Sequence, residues 1–201
     1  MIYKIHKKIF DLYLSLILIV LFSPLFFIIA LLIKQDSCGP VFYKGERIGK
    51  NGVPFRMYKF RTMVPDADQK GGPSTALGDP RMTRIGRFLR KTKLDELPQL
   101  INILLGQMSF VGPRPQVKKY TDLYSEREKT ILSVRPGLTD FASLHFFDMD
   151  AHLGSVEVDK KYAEEVEPKK NLLRLKYVNT KSIKTDIYIL SKTLARILMM
   201  K

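Results

Sequence analysis

Residues 9–33 read IFDLYLSLILIVLFSPLFFIIALLI. The run is almost wholly apolar, and as a straight helix rising about 1.5 Å per residue it would cross a hydrocarbon core roughly 30 Å thick. It is too long for the apolar region of a secretory signal, and Gln35, Asp36 and Ser37 follow it in place of a small-residue cleavage site. Two details bear on how it sits. Ser23-Pro24 falls near the middle, where proline removes a backbone donor and crowds the preceding turn, so a kink or break is expected there. Lys4, Lys7 and Lys8 precede the run and Lys34, Lys44, Arg47 and Lys50 follow it. The positive-inside rule therefore draws both ends to the cytoplasm. A helix that enters, bends at Ser23-Pro24 and leaves by the same face satisfies both observations. A proline-kinked single span is the competing arrangement, since spanning helices tolerate proline. Asp11 can stay at head-group level and avoid the cost of about 2.5 to 3.5 kcal/mol for a charge at the bilayer centre.

The remaining length bounds the architecture. A chain of 201 residues holds one ordinary domain plus an appendage, which divides it into a membrane helix over residues 1–36 and a body over residues 37–201. A lone cysteine, Cys38, rules out an internal disulfide and a Cys-rich zinc site. The net charge of +14 calls for anionic partners: nucleic acid, acidic lipid head groups or phosphorylated small molecules. The apolar N-terminus and the lack of any recognisable nucleic-acid module favour the latter two.

Along the body, Val41-Phe42-Tyr43 and Phe55 to Phe60 flank Gly49-Lys50-Asn51-Gly52, which predicts a β-hairpin over Val41–Arg61. Asp66 to Pro80 is rich in Gly, Pro, Ser and Asp without apolar periodicity, as in a surface loop. From Thr83, Ile85, Phe88 and Leu89 start a helical stripe that Leu94, Leu97, Leu100, Ile101 and Leu104 continue. Pro98 suits a first turn, so a break is expected near Thr92 to Asp95, with Asp95-Glu96 at the start of a second helix. Gly112-Pro113-Arg114-Pro115 and Arg135-Pro136-Gly137 read as rigid turns that each hold one arginine. Lys160 to Val166 reads as a short polar helix. Ile183, Ile187, Leu190, Leu194, Ile197 and Leu198 form a stripe on a last helix, with Lys181, Lys184, Lys192, Arg196 and Lys201 nearby. That helix suits either the membrane surface or packing on the core. The fold class is thus α+β: a re-entrant N-terminal membrane helix and a mainly helical body with one small hairpin.

Several familiar chemistries fail on spacing. Gly45 to Lys50 is one residue short of a phosphate loop and is followed by Asn51 where Ser or Thr belongs. His6, His145 and His152 lack zinc-ligand spacing, and no serine sits in a nucleophile elbow. The acidic pair Asp95-Glu96 remains, downstream of Arg84, Arg87, Arg90, Lys91 and Lys93. Two acids at a helix start are stabilised by the helix dipole without further purpose. Lys59, Arg61, Arg114 and Arg135, however, sit in turns or at strand ends that could converge on phosphate groups. A carboxylate attacking phosphorus needs its target's charge neutralised by arginines or Mg²⁺ and stays ionised beside such cations. A basic membrane-surface adaptor without catalysis is the alternative, and it makes Asp95-Glu96 dispensable.

Five ordered motifs, Lys59-Phe60-Arg61-Thr62-Met63, Asp79-Pro80-Arg81-Met82-Thr83-Arg84-Ile85-Gly86, Leu94-Asp95-Glu96-Leu97-Pro98-Gln99-Leu100, Val111-Gly112-Pro113-Arg114-Pro115 and Arg135-Pro136-Gly137-Leu138-Thr139, resemble those of the bacterial sugar transferases, the monotopic phosphoglycosyl transferases, in their small form. The resemblance covers essentially the whole chain, including the Ser23-Pro24 break. It implies a ping-pong transfer of a sugar phosphate from a UDP-sugar to polyprenyl phosphate at the cytoplasmic face of the bacterial inner membrane, among its phospholipids and without nucleic acid. By the same resemblance Asp95 is the nucleophile, Glu96 positions Mg²⁺ or serves as the base, and both approach the metal. Lys59, Arg61, Arg90, Arg114 and Arg135 are candidates for phosphate or nucleotide binding, and Asp186 matches a recurrent acid of the last helix. After Thr139, Asp140-Phe141-Ala142-Ser143-Leu144 departs from the usual family segment, which leaves the sugar unread.

Overall fold

The computed structural model describes residues 2–67, 79–147 and 158–199. The central part of the expected loop over Asp66–Pro80, His152 and Lys201 lie outside the described residues. Helix α1 spans Ile2–Asp36. Strands β1 (Phe42–Ile48) and β2 (Pro54–Phe60) form the expected antiparallel hairpin, pairing Phe42 with Phe60 and Ile48 with Pro54. Asn51 turns the chain between them at φ 57°, in the left-handed region that asparagine tolerates best after glycine.

The expected interruption at Ser23-Pro24 takes another form. The helix continues through Pro24 as one element. Pro24 cannot donate to the carbonyl of Val20 four residues earlier, but the Ser23 hydroxyl donates to that carbonyl at 2.8 Å. The serine thus replaces the proline's missing donor, which matters most where no water can.

Helix α1 lies along the body for most of its length. Near its start, Asp186 accepts hydrogen bonds from Tyr3 at 2.8 Å and Lys7 at 2.6 Å. Leu14, Leu18 and Ile19 pack on the core built around Leu100, Ile103, Met108 and Tyr177. Beyond Pro24, Ile29 and Ile33 are buried against Phe60 and Leu89. At its end, Asp36 accepts the backbone N–H of Ile85 at 2.9 Å. The opposite face exposes Ile9, Phe10, Leu16, Ile17, Val20, Leu21, Phe27 and Ile28.

Helix α2 (Arg84–Lys91) starts at Thr83, whose side chain accepts from Gly86 N–H at 2.9 Å. A Cβ on Gly86 would fall on the Thr62 carbonyl, so the glycine sets the distance of closest approach between α2 and the end of the hairpin. The expected break comes at Lys93, φ 59°, and one 3₁₀ turn, Leu94–Glu96, leads through Pro98 into α3 (Gln99–Leu104). Asn102 of α3 is fully buried. Its side chain accepts from Tyr58 N–H at 2.9 Å and donates to Arg56 O at 2.8 Å, fastening α3 to β2.

Two further features differ from the sequence reading. The segments around Gly112 and Gly137 are more than turns: β3 (Ser109–Val111) and, after the short helices α4 (Lys118–Thr121) and α5 (Glu126–Lys129), β4 (Gly137–Thr139) pair in parallel. Three-residue strands are too short to show a period of two. Gly112 and Gly137 stand back to back, with no room for a Cβ on Gly137.

The polar helix expected over Lys160–Val166 is the opening of a longer one. After α6 (Phe141–His145), α7 (Val158–Lys161) passes through a widened π turn, Tyr162–Val166, into α8 (Glu167–Thr180). The buried face of α8 carries Glu167, Asn171 and Arg174 beside Leu175, Tyr177 and Val178. Arg174, 2 % exposed, donates to Glu167 and Asn171 at 2.7 and 2.6 Å. A core whose polar groups bond one another reads as surface in a hydrophobicity pattern.

Helix α9 (Ile183–Leu198) touches the body through Asp186, Ile189 and Thr193, which meets Thr139 at 2.8 Å. Its stripe of Ile183, Ile187, Leu194, Ile197 and Leu198 is exposed.

Candidate active site

The acid pair sits in the 3₁₀ turn Leu94–Glu96, which Leu94 and Leu97 press onto the cluster around Phe60 and Leu89. Asp95 is therefore 6 % exposed, which removes the reading of an idle, solvated helix-start acid. Lys59, near the end of β2, places Nζ 2.9 Å from Glu96 Oε1 and 3.6 Å from Asp95 Oδ2. Arg114 donates through Nη2 to the same Glu96 oxygen and through Nη1 to Leu138 O at 2.8 Å.

The two carboxylates are treated unequally. Glu96 Oε1 is gripped by two cations, whereas Asp95 Oδ1 is buried with no hydrogen-bond partner. Burial works against ionisation of Glu96, but Arg114 and Lys59 outweigh it and hold its carboxyl well below the usual range. For Asp95 burial is the largest influence, and it raises the carboxyl despite Lys59, Arg90 and Arg114. Arg90, in the last turn of α2, thus acts on Asp95 by its charge, and it acts on Asp79 as well.

Two expected members of the cluster sit elsewhere. Arg61 turns to the end of α1, donating to Ser37 O at 2.7 Å and Ser37 Oγ at 2.9 Å. Its Nε and Nη1 are buried without partners. Arg135 pairs with Asp11 of α1 at 3.5 Å, and Asp11 is buried against the body. Of the three arginines at turns or strand ends, Arg61, Arg114 and Arg135, two lean on α1 or its end.

Sequence reasoning missed three neighbours. Asp140 accepts the Arg114 backbone N–H at 3.1 Å while capping α6 through Ser143 N–H at 2.6 Å, so the segment that departs from the family pattern supports the arginine that holds Glu96. Asp79 takes both ends of the Arg81 guanidinium, at 2.9 and 2.6 Å, and Arg81 holds its carboxyl low. Lys170 of α8 lies 3.4 Å from Tyr162 Oη and within electrostatic reach of Arg114 and Asp140. The acid after Thr139 was a visible signal; the lysine, thirty residues on in a polar stretch, left none.

The residues present fit a divalent cation of the Mg²⁺ kind. Among the described residues no group of three or more His, Cys, Asp or Glu side chains could cage a metal, but Mg²⁺ is commonly held by one or two carboxylates with waters and substrate phosphates completing its shell. The unpartnered Asp95 Oδ1, beside Glu96, offers such an anchor.

A sequence model described as bacterial sugar transferase matches residues 2–200. The chain is 35 % identical over 201 residues to an Aeromonas hydrophila protein named UDP-N-acetylgalactosamine-undecaprenyl-phosphate N-acetylgalactosaminephosphotransferase, covering 98 % of this chain and 44 % of that one. It is 34 % identical over 193 residues to the UDP-glucose:undecaprenyl-phosphate glucose-1-phosphate transferase of Escherichia coli K12, covering 94 % and 39 %. It is 38 % identical over 203 residues to the exopolysaccharide production protein ExoY of Rhizobium meliloti 1021, covering 94 % and 83 %. The chain thus spans less than half the length of the first two relatives and most of the third.

Proposed function

The chain belongs to the bacterial sugar transferase family, and on that premise we propose that it transfers a sugar 1-phosphate from a UDP-sugar to polyprenyl phosphate, giving polyprenyl diphosphate sugar and UMP as the first step of a glycoconjugate. The observation that carries the reading is the inequality of the acids: Asp95 keeps an unpartnered oxygen while Glu96 is bound by Lys59 and Arg114. A nucleophile needs a free lone pair, so Asp95 takes that role.

An Asp95 oxygen bonds to the β-phosphorus of the donor, and the bond from that phosphorus to the bridging oxygen breaks. UMP leaves with the electron pair. A phosphate oxygen of polyprenyl phosphate then attacks the same phosphorus and expels the Asp95 carboxylate, which restores the enzyme. Lys59, Arg90 and Arg114 offset the charge that gathers on the phosphoryl oxygens. Glu96, held ionised, fixes Lys59 and Arg114 in place. Mg²⁺, held by Asp95 and Glu96, would lower the repulsion between carboxylate and diphosphate.

The membrane arrangement follows from where the substrates live, one in water and one in lipid. Helix α1 is long and apolar enough to cross a membrane, yet residues near both of its ends contact the body. A body on one side of the bilayer cannot stay packed against both halves of a helix that crosses to the other. We therefore read α1 as a re-entrant element that enters and leaves by the same face, with Ser23-Pro24 at its deepest part, α9 lying on the surface by its exposed stripe and the body on the cytoplasmic face of the inner membrane. UMP release from a panel of UDP-sugars with undecaprenyl phosphate and Mg²⁺ tests the function. The reading expects release by the wild type that Asp95→Asn abolishes, and release by the variant at the wild-type rate would refute it.

A further inference from the structure

A groove of about 530 Å³ lies at the opposite end of β2 from the acid pair, between the first turns of α1 and the β1–β2 turn. Pro54, at that end, and Lys59, beside the acids, are five residues apart, about 16 Å along a strand. Among the described residues, six cations line the groove, Lys4, Lys7, Lys8, Lys50, Arg135 and Lys181, and no carboxylate does.

Two of the six are neutralised from outside the lining, Lys7 by Asp186 at 2.6 Å and Arg135 by Asp11 at 3.5 Å. Six cations less two acids leaves four positive charges. Lys181 Nζ donates to Val178 O at 2.6 Å, and Lys4, Lys8 and Lys50 have no carboxylate partner among the described residues. The floor is fixed: besides Tyr3 and Lys7, Asp186 accepts from Tyr177 Oη at 2.8 Å, and Tyr177 Oη also lies 3.1 Å from Val111 O.

Four lysines sharing a groove repel one another unless an anion joins them. The place of the groove says which anion. Ile5, Ile9 and Phe10, each about half exposed, begin the apolar face of α1 on the same turns that carry Lys4, Lys7 and Lys8. The groove therefore opens where lipid-facing surface meets water, the level of phosphate head groups. It is too far from Asp95 to hold a phosphate that must react there.

We propose that this groove binds the phosphate head group of an acidic membrane phospholipid and so fixes the depth and tilt of the body on the bilayer. The proposal rests on the membrane placement inferred above, and it is separate from the transfer chemistry.

The test uses the purified full chain in neutral detergent, without donor, with melting followed by circular dichroism. Dioctanoyl phosphatidylglycerol, dioctanoyl phosphatidylcholine and inorganic phosphate are titrated separately into the wild type and into Lys4→Gln/Lys8→Gln/Lys50→Gln. The expected result is saturable stabilisation of the wild type by phosphatidylglycerol, little by the other two, and binding about 100-fold weaker in the triple variant, at about fivefold per lysine. Equal shifts with phosphatidylcholine, or a triple variant that binds phosphatidylglycerol like the wild type, would overturn the site. An inorganic phosphate shift as large as that of phosphatidylglycerol would overturn the lipid as its source. Wild-type UMP release is read in parallel, so a missing lipid shift with UMP release intact sinks this proposal alone.

Discussion

Asp140 holds Arg114 by its backbone, accepting that N–H at 3.1 Å while its other oxygen caps α6. One side chain thereby sets both the arginine that holds Glu96 and a helix start. The two roles separate by substitution. Asn caps helices about as well as Asp, so Asp140→Asn should keep the melting temperature near wild type while lowering kcat about 10- to 100-fold, the range typical of lost supporting contacts. Asp140→Ala should lose the activity and also about 1 kcal/mol of stability. Equal activity of Asp140→Asn and wild type would place Arg114 outside the reaction.

Lys59 and Arg114 converge on one Glu96 oxygen. Removing Glu96 leaves two partly buried cations facing each other, so Glu96→Gln should lower UMP release by roughly 100-fold or more, as for loss of a group that orients transition-state charge. Lys59→Met should weaken donor use without preventing folding, and the paired variants should be less than additive because the three groups act as a unit. Steady-state kinetics on the two single variants and the double variant measure this directly.

Gly137 has no space for a side chain against Gly112. Gly137→Ala should force β3 from β4 and destabilise the chain by about 1 to 3 kcal/mol, the usual cost of overpacking. Chemical denaturation in detergent reads the change. Unchanged stability would mean that the parallel pair is not seated as described.

Lys170 supplies a pH test. Its ammonium is buried, and that burial, with the Arg174 charge, lowers its pKa from 10.5 to about 7. Between those values the unfolded chain binds more protons than the folded one, so this group makes stability rise with pH across that window, with its penalty fully present below pH 7. Lys170→Met should be more stable than wild type at pH 6.5, on the order of a few kcal/mol, with the gap narrowing toward pH 9.5. Melting curves at both values decide it; a gap that does not narrow would show that Lys170 is charged and solvated.

Re-entry predicts shared sidedness. With Cys38, which is exposed, replaced by serine, cysteines at positions 2 and 40 should both resist an impermeant thiol reagent in intact cells. Labelling of either from outside would leave α1 as a span.

The hairpin, the break before Leu94–Glu96 and the acid pair were legible because each rests on local chemistry: a turn at Asn51, a proline placed for a first turn, and adjacent acids in a basic stretch. The destinations of Arg61 and Arg135 were not, because a turn fixes where an arginine starts and long-range packing on α1 decides where it ends. The length of α8 was hidden for a related reason. Its buried face mixes Glu167, Asn171 and Arg174, which bond one another, with Leu175, Tyr177 and Val178, so no clean apolar period marks it. The partners of Asp11, Ser109 and Phe110, were hidden for the same reason, because they lie far along the chain.

The central claim is that Asp95 becomes covalently phosphorylated by the donor before any acceptor arrives. Intact-protein mass spectrometry after mixing enzyme, Mg²⁺ and the preferred UDP-sugar without polyprenyl phosphate tests it most directly. The account predicts a mass gain of one sugar phosphate, mapped to the peptide holding Asp95, with one UMP released per enzyme, absent in Asp95→Asn and discharged on adding polyprenyl phosphate. UMP that appears only with the acceptor, with no adduct on an enzyme that turns over, would contradict it.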